Sequence, residues 1–288
     1  MLDLSHIPNS QQDIKVFYSN GVSNAWQTWQ KPRKCSYVWI MCIGAGAGGA
    51  GGSSSVGAGA TGGASGGVSR ALYNAQQLPD TLYVQVGVGG AGGNPGVSGI
   101  AGTRSWVFIQ PAIVNGSLVQ GSGAVAAVGG LISGVASAGE TPMTQGTAYF
   151  LTLANFIGTA GQPSNTALTY SPLTSQITCP GGVGPQYNDS TLISFAGGEI
   201  SATSISPTIP GGTNGGGTTN GGDGGYGITS WKPFFSLGGA GGGSSYVGSG
   251  GNGGNGGIGS GGGAGGAGKT GGGRGGKGGD GLVVIIAF

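Results

Sequence analysis

Hydrophobic residues fall into short runs that predict strands rather than helices. Residues 35–43 (CSYVWIMCI) and 281–288 (GLVVIIAF) are apolar at nearly every position, which is typical of strands buried on both faces. Shorter runs at 68–73, 81–86 and 106–109 predict three further strands. No stretch keeps a 3.6-residue periodicity between helix caps. The pattern therefore predicts an all-β fold, a β-sandwich with essentially no α-helix.

Long glycine tracts interrupt these strands at residues 44–67, 87–102 and 238–281. Glycine supplies 73 of the 288 residues, and Asp, Glu, Lys and Arg together supply 6%. Each glycine inside a helix or strand costs roughly 0.5–1 kcal/mol relative to alanine, so the composition excludes an ordinary globule. Disorder is also a poor fit, because 37% of the residues are hydrophobic.

Side chains in the last tract recur at every third residue. They form three runs: Asn252, Asn255 and Ile258; Ala264, Ala267 and Thr270; Arg274, Lys277 and Asp280. This period matches polyproline II, which has three residues per turn, a rise of about 3.1 Å and no internal hydrogen bonds. We therefore expect packed polyglycine segments, bonded sideways through their peptide groups, that form a rigid scaffold. A flexible linker is the alternative, whereas the phase break and the absence of proline argue against collagen.

Four regions follow from these patterns. Residues 1–25 are polar and mixed, and we expect them to be an attachment arm outside the repetitive core. Residues 26–109 contain β-strands and the first glycine-rich segments, and residues 237–288 contain the last tract and the closing strand. Residues 110–236 have less glycine and several short apolar runs, which predict an inserted β-rich module.

Two glycine motifs match nucleotide-binding patterns without the context that binding requires. Residues 263–270 spell G-x-x-x-x-G-K-T, and residues 44–49 spell G-x-G-x-x-G. Neither is followed by sequence that could form the helix whose N-terminus holds phosphate. The single histidine, His6, is one poor candidate base, and His6 with three cysteines has no zinc-ligand spacing. We therefore expect no enzyme activity, no cofactor and no metal.

Charge and hydropathy exclude further partner classes. The formal net charge is +2, and basic residues are not interleaved with aromatic ones, so we expect no nucleic-acid partner. The longest apolar run is too short to span a membrane. The first residues carry no secretory signal, so we expect the chain to be either cytosolic or exported without a classical signal, for instance inside an assembled particle. In both cases we expect it to be made and assembled in the reducing cytoplasm. There Cys35, Cys42 and Cys179 would be reduced thiols of the core.

Three short motifs frame the glycine tracts. They are WQTWQKP at 26–32 before the strand at 36–43, VQVGVGGAGG at 84–93, and GGDGLVVII at 278–286. In this order they resemble the glycine-rich domain of bacteriophage tail-fibre, tail-tip and other virion surface proteins. The resemblance covers residues 26–108 and 237–288. It implies packed polyglycine helices with loops at one end that contact a host receptor.

The resemblance directs attention to aromatic side chains near the last tract, within YGITSWKPFF (226–235) and at 244–247. The candidate receptor or partner contacts are Tyr226, Trp231, Phe234, Phe235 and Tyr246. Exposed aromatics serve as binding anchors, and core packing is the alternative role. We expect a virion structural protein, a spike, fibre or tail-tip component that forms oligomers. It would bind other capsid or tail proteins, with a host-cell surface receptor as a further candidate. A non-viral extracellular glycine-rich structural or matrix protein is the alternative function.

Overall fold

The fold is all-β, as the hydrophobic pattern predicts. The computed structural model describes residues 13–22, 25–54, 59–111, 125–127, 168–170, 177–202 and 207–288. Within these ranges the chain forms twelve strands, one short 3-10 helix (Ala75–Gln77) and no α-helix.

Two four-stranded antiparallel sheets organise the strands. The first sheet has the order β1 (Asp13–Tyr18), β12 (Leu282–Ala287), β3 (Tyr37–Ile43) and β4 (Val68–Asn74). The second sheet has the order β2 (Trp26–Gln30), β5 (Thr81–Gln85), β6 (Ser105–Phe108) and β7 (Val125–Ala127). Two short pairs complete the set: parallel β8 (Leu168–Tyr170) with β9 (Ile200–Ala202), and antiparallel β10 (Thr229–Trp231) with β11 (Phe234–Ser236).

The two central strands of the first sheet, β3 and β12, are buried on both faces. Alternate side chains on a strand point to opposite faces, so each strand contributes to two clusters. One cluster lies between the sheets and contains Val38, Ile40, Cys42, Val283 and Ile285 together with Leu82, Val84 and Val107. The other contains Trp39, Met41, Ile43, Leu282, Val284 and Ile286, packed against Ile177, Phe234 and Ile258. The predicted burial of both strands on two faces is therefore confirmed.

The structure describes parts of two further predicted regions. Residues 13–18, in the expected attachment arm, form β1 and pair with β12 at the edge of the first sheet. Residues 177–202 and 207–236, in the expected inserted module, bond to the glycine tracts, for example through the Gly181 N–H to the Gly63 carbonyl oxygen at 2.9 Å. Residues 1–12 and most of 112–176 lie outside the described residues.

The glycine tracts form extended helices that are bonded side by side. The consecutive N–H groups of residues 44–52 donate in strict rotation to residues 61–67, 97–103 and 273–279, over distances of 2.8–3.1 Å. Every third N–H therefore meets the same neighbour, as expected for polyproline II with three residues per turn. The expected lateral bonding is confirmed.

The segment at 260–268 is the centre of this bundle. Every one of its residues is buried. Its N–H groups from residue 261 onward donate in rotation to residues 179–185, 47–53 and 251–254. An outer layer covers it on one side, formed by residues 220–228, 249–257, 271–279 and 87–93. The flexible-linker alternative is therefore wrong for this tract, because its peptide groups are bonded to neighbours on several sides.

Candidate contact surface

The β10–β11 hairpin brings two of the predicted contact residues together at the surface. Trp231 is 47% exposed, and its ring centroid lies 5.4 Å from that of Phe234. The Trp231 ring also meets Tyr18 of β1 edge to face, at 6.5 Å between centroids. Phe234 is half-buried because it also packs on the sheet. We refer to Tyr18, Trp231 and Phe234 as the aromatic patch.

Phe235, which we predicted as a contact residue, lies in the core. Only 3% of it is exposed, and it packs with Cys179, Ile200, Ile209 and Leu237. Neighbouring residues on a strand face opposite sides, so placing Phe234 at the margin of the patch turns Phe235 inward. Phe235 is therefore not part of the contact surface.

Sequence reasoning missed Tyr18, which belongs to an exposed row on the edge strand. Ile14, Val16 and Tyr18 alternate along β1 and are 43%, 38% and 54% exposed. The signal was available, since alternate apolar residues in a short run predict one apolar strand face. Because Tyr18 belongs to both, this exposed row extends the apolar surface of the aromatic patch along β1.

Tyr246 is half-buried and is held by a different set of contacts. Its backbone N–H donates to the Ser194 hydroxyl oxygen at 3.0 Å, and the neighbouring Ser244 hydroxyl oxygen accepts from the Phe195 N–H at 2.7 Å. Among the described residues, the aromatic ring pairs do not include Tyr246. The structure therefore does not join Tyr246 to the aromatic patch.

Tyr226 is 70% exposed and interrupts a regular row of hydrogen bonds. Side-chain oxygens of the 220–229 segment accept N–H groups of the neighbouring 249–258 segment at every third residue. The pairs are Asn220 with Ser249 at 3.0 Å, Asp223 with Asn252 at 2.7 Å, and Thr229 with Ile258 at 2.9 Å. We call this row the outer ladder. Tyr226 holds the remaining position, opposite Asn255, and its oxygen is at the far end of the ring.

The nucleotide-like motifs have their N–H groups occupied by the bundle. Within residues 263–270, the Gly263, Ala264 and Gly265 N–H groups donate to the carbonyl oxygens of Gly254, Gly182 and Ala50 at 2.8–2.9 Å. Within residues 44–49, the Gly44, Gly46 and Gly49 N–H groups are likewise bonded to carbonyl oxygens at 2.9 Å. The backbone N–H groups that would bind phosphate in a phosphate loop therefore already donate to carbonyl oxygens of neighbouring segments.

Titratable groups in the described part of the chain are dispersed or buried. No group of three or more His, Cys, Asp or Glu there could hold a metal ion. Burial raises the pKa of the Cys179 thiol to about 12 and also raises the pKa of the Cys42 thiol, so both remain protonated at neutral pH. His6, the one candidate base, lies outside the described residues.

Comparison with known protein families gives a match for this chain. A family model described as a glycine-rich domain matches residues 21–288. No curated protein matches the chain. Across the described ranges, no helix has the length and apolar character needed to cross a membrane.

Proposed function

The chain belongs to the glycine-rich domain family, and from this premise we propose that it is a virion structural protein. In this role it is a spike, fibre or tail-tip component, made in the host cytoplasm and joined to other capsid or tail proteins. It acts as a rigid support that presents a contact surface to a partner, with a host-cell surface receptor as the leading candidate. It carries out no catalytic step and uses no cofactor.

The cross-bonded bundle supports the scaffold role. Residues 44–52 and 260–268 each bond in rotation to several neighbouring segments, so no single segment can move without breaking bonds to the others. A support of this kind loses little conformational freedom when its surface binds a partner. The geometry therefore suits a protein whose work is mechanical and adhesive.

One observation carries the contact role: Tyr226 places an exposed ring where the outer ladder favours a short side chain with an oxygen. The three aligned positions, Asn220, Asp223 and Thr229, each accept an N–H of the neighbouring segment. Tyr226 gives up that hydrogen bond and leaves 70% of the residue exposed. Exposed tyrosine and tryptophan are the side chains most often used as binding anchors. We infer that Tyr226 contacts a partner.

The aromatic patch is the second part of the proposed contact surface. Trp231 contacts Tyr18 and Phe234 and is itself 47% exposed, so its ring is fixed by neighbours but open to a partner. An anchor that is already ordered binds with a smaller entropic cost than a mobile one. Trp231 is therefore the central residue of the patch.

A binding assay with intact cells tests the contact role. We expect the fluorescently labelled protein to stain the surface of bacterial host cells, and Trp231→Ala and Tyr226→Asn to lose most of this staining. Tyr37→Asn is the matched control, because Tyr37 is 40% exposed and lies outside the aromatic patch and the outer ladder. Equal staining by the native protein and by both contact variants would show that the proposed surface does not bind the cells.

Immunogold electron microscopy tests the structural role. An antibody raised against the protein should decorate the capsid or tail of purified virus particles. Label confined to an extracellular matrix of uninfected cells would overturn the virion assignment and favour the matrix alternative. In that case the cell-staining variants would still report whether Trp231 and Tyr226 bind a partner.

A further inference from the structure

A pocket of about 390 Å³ lies beside the turn that joins β2 to β3, away from the aromatic patch. The turn forms one wall, and the 3-10 helix Ala75–Gln77 and the start of β5 form the other. The lining residues are Lys31, Pro32, Arg33, Lys34, Cys35, Ala75, Gln76 and Asp80. Three cationic side chains in one short turn stand out in a chain with few charges.

Lys31 fixes the turn and is not available to a ligand. Its ammonium group donates to the Ala75 carbonyl oxygen at 3.0 Å and to the Leu78 carbonyl oxygen at 2.6 Å. It also lies 3.2 Å from the Asp80 carboxylate. These partners can use all three hydrogens of the ammonium group, and Asp80 balances its charge. The turn is therefore tied to the opposite wall of the pocket.

Arg33 and Lys34 are the other two cations of the pocket. Both are exposed. Among the carboxylates that the structure describes, none forms an ion pair with either side chain. The pocket therefore presents two positive charges on a turn held in place by Lys31.

The backbone of Lys34 carries a conformational cost. Its φ angle is +70°, in the left-handed region that side chains rarely adopt. Glycine removes that cost, and the chain uses glycine at 73 of 288 positions. Strained residues cluster at binding sites, so this conformation adds to the two exposed charges as support for a binding site at the turn.

We propose that Arg33 and Lys34 bind a phosphate group in this pocket. The guanidinium of arginine matches the oxygens of phosphate in pairs, and lysine adds a second positive charge. The pocket is larger than a bare phosphate ion, so it also has room for a small group that carries the phosphate, such as a sugar. This binding is separate from the aromatic contacts and does not depend on the proposed virion role.

Alkylation of Cys35 provides a direct readout of occupancy. Cys35 lines the pocket and is half-buried, whereas Cys42 and Cys179 are fully buried. The neutral reagent iodoacetamide should therefore modify Cys35 first, and intact-protein mass spectrometry can follow its rate. We expect inorganic phosphate and glucose 6-phosphate, at constant ionic strength, to slow this rate in a saturable way.

Two variants separate binding from folding. Arg33→Gln should raise the phosphate concentration for half-protection by about tenfold or more, as expected for loss of a charged hydrogen bond. Lys34→Gly should weaken protection by about tenfold while the melting temperature stays equal or rises, because glycine relieves the backbone cost. Arg274→Gln is the matched control, since Arg274 is exposed on the outer layer of the bundle, and it should leave protection unchanged.

Three outcomes would overturn the site: no protection by either probe in the native protein, native affinity in Lys34→Gly, or equal weakening by Arg274→Gln. Stronger protection by glucose 6-phosphate than by inorganic phosphate would support a phosphorylated sugar as the ligand. Equal protection by both probes would support a site for the phosphate group alone. A failure of the cell-staining assay would not change any of these results.

Discussion

The Asn255 side-chain oxygen Oδ1 accepts a hydrogen bond from the backbone N–H of Lys277 at 2.8 Å. One helical turn earlier, Asn252 Oδ1 accepts the Arg274 N–H at the same distance. In the interior of the bundle such N–H groups donate to peptide carbonyls of the next helix. At the surface of the outer layer, the asparagine amides supply the acceptor instead. The spacing of asparagine at every third residue is therefore explained by hydrogen bonding between helices.

Replacing one of these amides tests this role. Asn255→Ala should lower the free energy of unfolding by about 0.5–1.5 kcal/mol, because the Lys277 N–H loses its acceptor. Asn255→Asp keeps an acceptor oxygen and places a negative charge near Lys277, so it should unfold at nearly the native denaturant concentration. Urea titration followed by circular dichroism measures both. Equal stability of the native protein and Asn255→Ala would mean that solvent replaces the amide without loss.

Close approach of backbones is the reason for glycine in the centre of the bundle. A Cβ atom added at Gly263 would overlap the carbonyl oxygen of Ala240, whereas one added at Gly271 would meet no atom of the described residues within 4 Å. Gly263→Ala should therefore cost about 3 kcal/mol or more, because two bonded helices must separate. Gly271→Ala should be neutral or slightly stabilising. Thermal unfolding of this pair distinguishes backbone packing from a simple preference for glycine in extended segments.

Tyr226→Asn should complete the outer ladder. The new side-chain oxygen would align with Asn220 and Asp223 and could accept the Asn255 N–H, adding about 0.5–1 kcal/mol to the free energy of unfolding. Tyr226→Ala is the control, because it removes the ring without supplying an acceptor. A gain in stability together with a loss of cell staining would show that the native tyrosine serves binding at the expense of stability. A lower stability than Tyr226→Ala would contradict the ladder.

The conformation of the glycine tracts can be predicted from the sequence, but which segments bond to each other cannot. A period of three in Asn252, Asn255, Arg274 and Lys277 predicts extended helices. The structure adds that these four residues are exposed. The period does not predict that residues 44–52 bond to residues 273–279, because all such segments present nearly identical peptide groups. Which segments become hydrogen-bonded neighbours depends on the strands that hold the ends of each tract.

The orientation of Phe234 and Phe235 could not be predicted from the sequence either. Two adjacent phenylalanines on a strand must face opposite sides, but their sequence does not say which one faces inward. The Ser236 N–H donates to the Ile177 carbonyl oxygen, and Phe235 is in a cluster with Cys179. Both contacts come from a distant part of the chain, so the phase of β11 could not be predicted locally.

Buried thiols predict a loss of stability at alkaline pH. Burial raises the pKa of Cys179 from 9.0 to about 12 and raises the pKa of Cys42 as well. Above pH 9 the unfolded chain releases these protons while the folded chain keeps them, so the unfolded state gains charge and becomes favoured. The stabilisation is complete below pH 9 and declines as the pH rises towards 12. Each thiol should lower the free energy of unfolding by at most about 1.4 kcal/mol per pH unit in this window, the value for one proton.

Urea unfolding at pH 8 to 11 measures this decline, and Cys179→Ala isolates one thiol. The variant should start less stable at pH 8, because a buried side chain is shortened, but its stability should fall less steeply with pH. Val183→Ala is the control, since Val183 is buried at 1% exposure and does not titrate. It should lower stability by a constant amount and leave the pH slope unchanged. A slope in Cys179→Ala equal to that of the native protein would show that Cys179 ionises as readily in the folded state as in the unfolded chain.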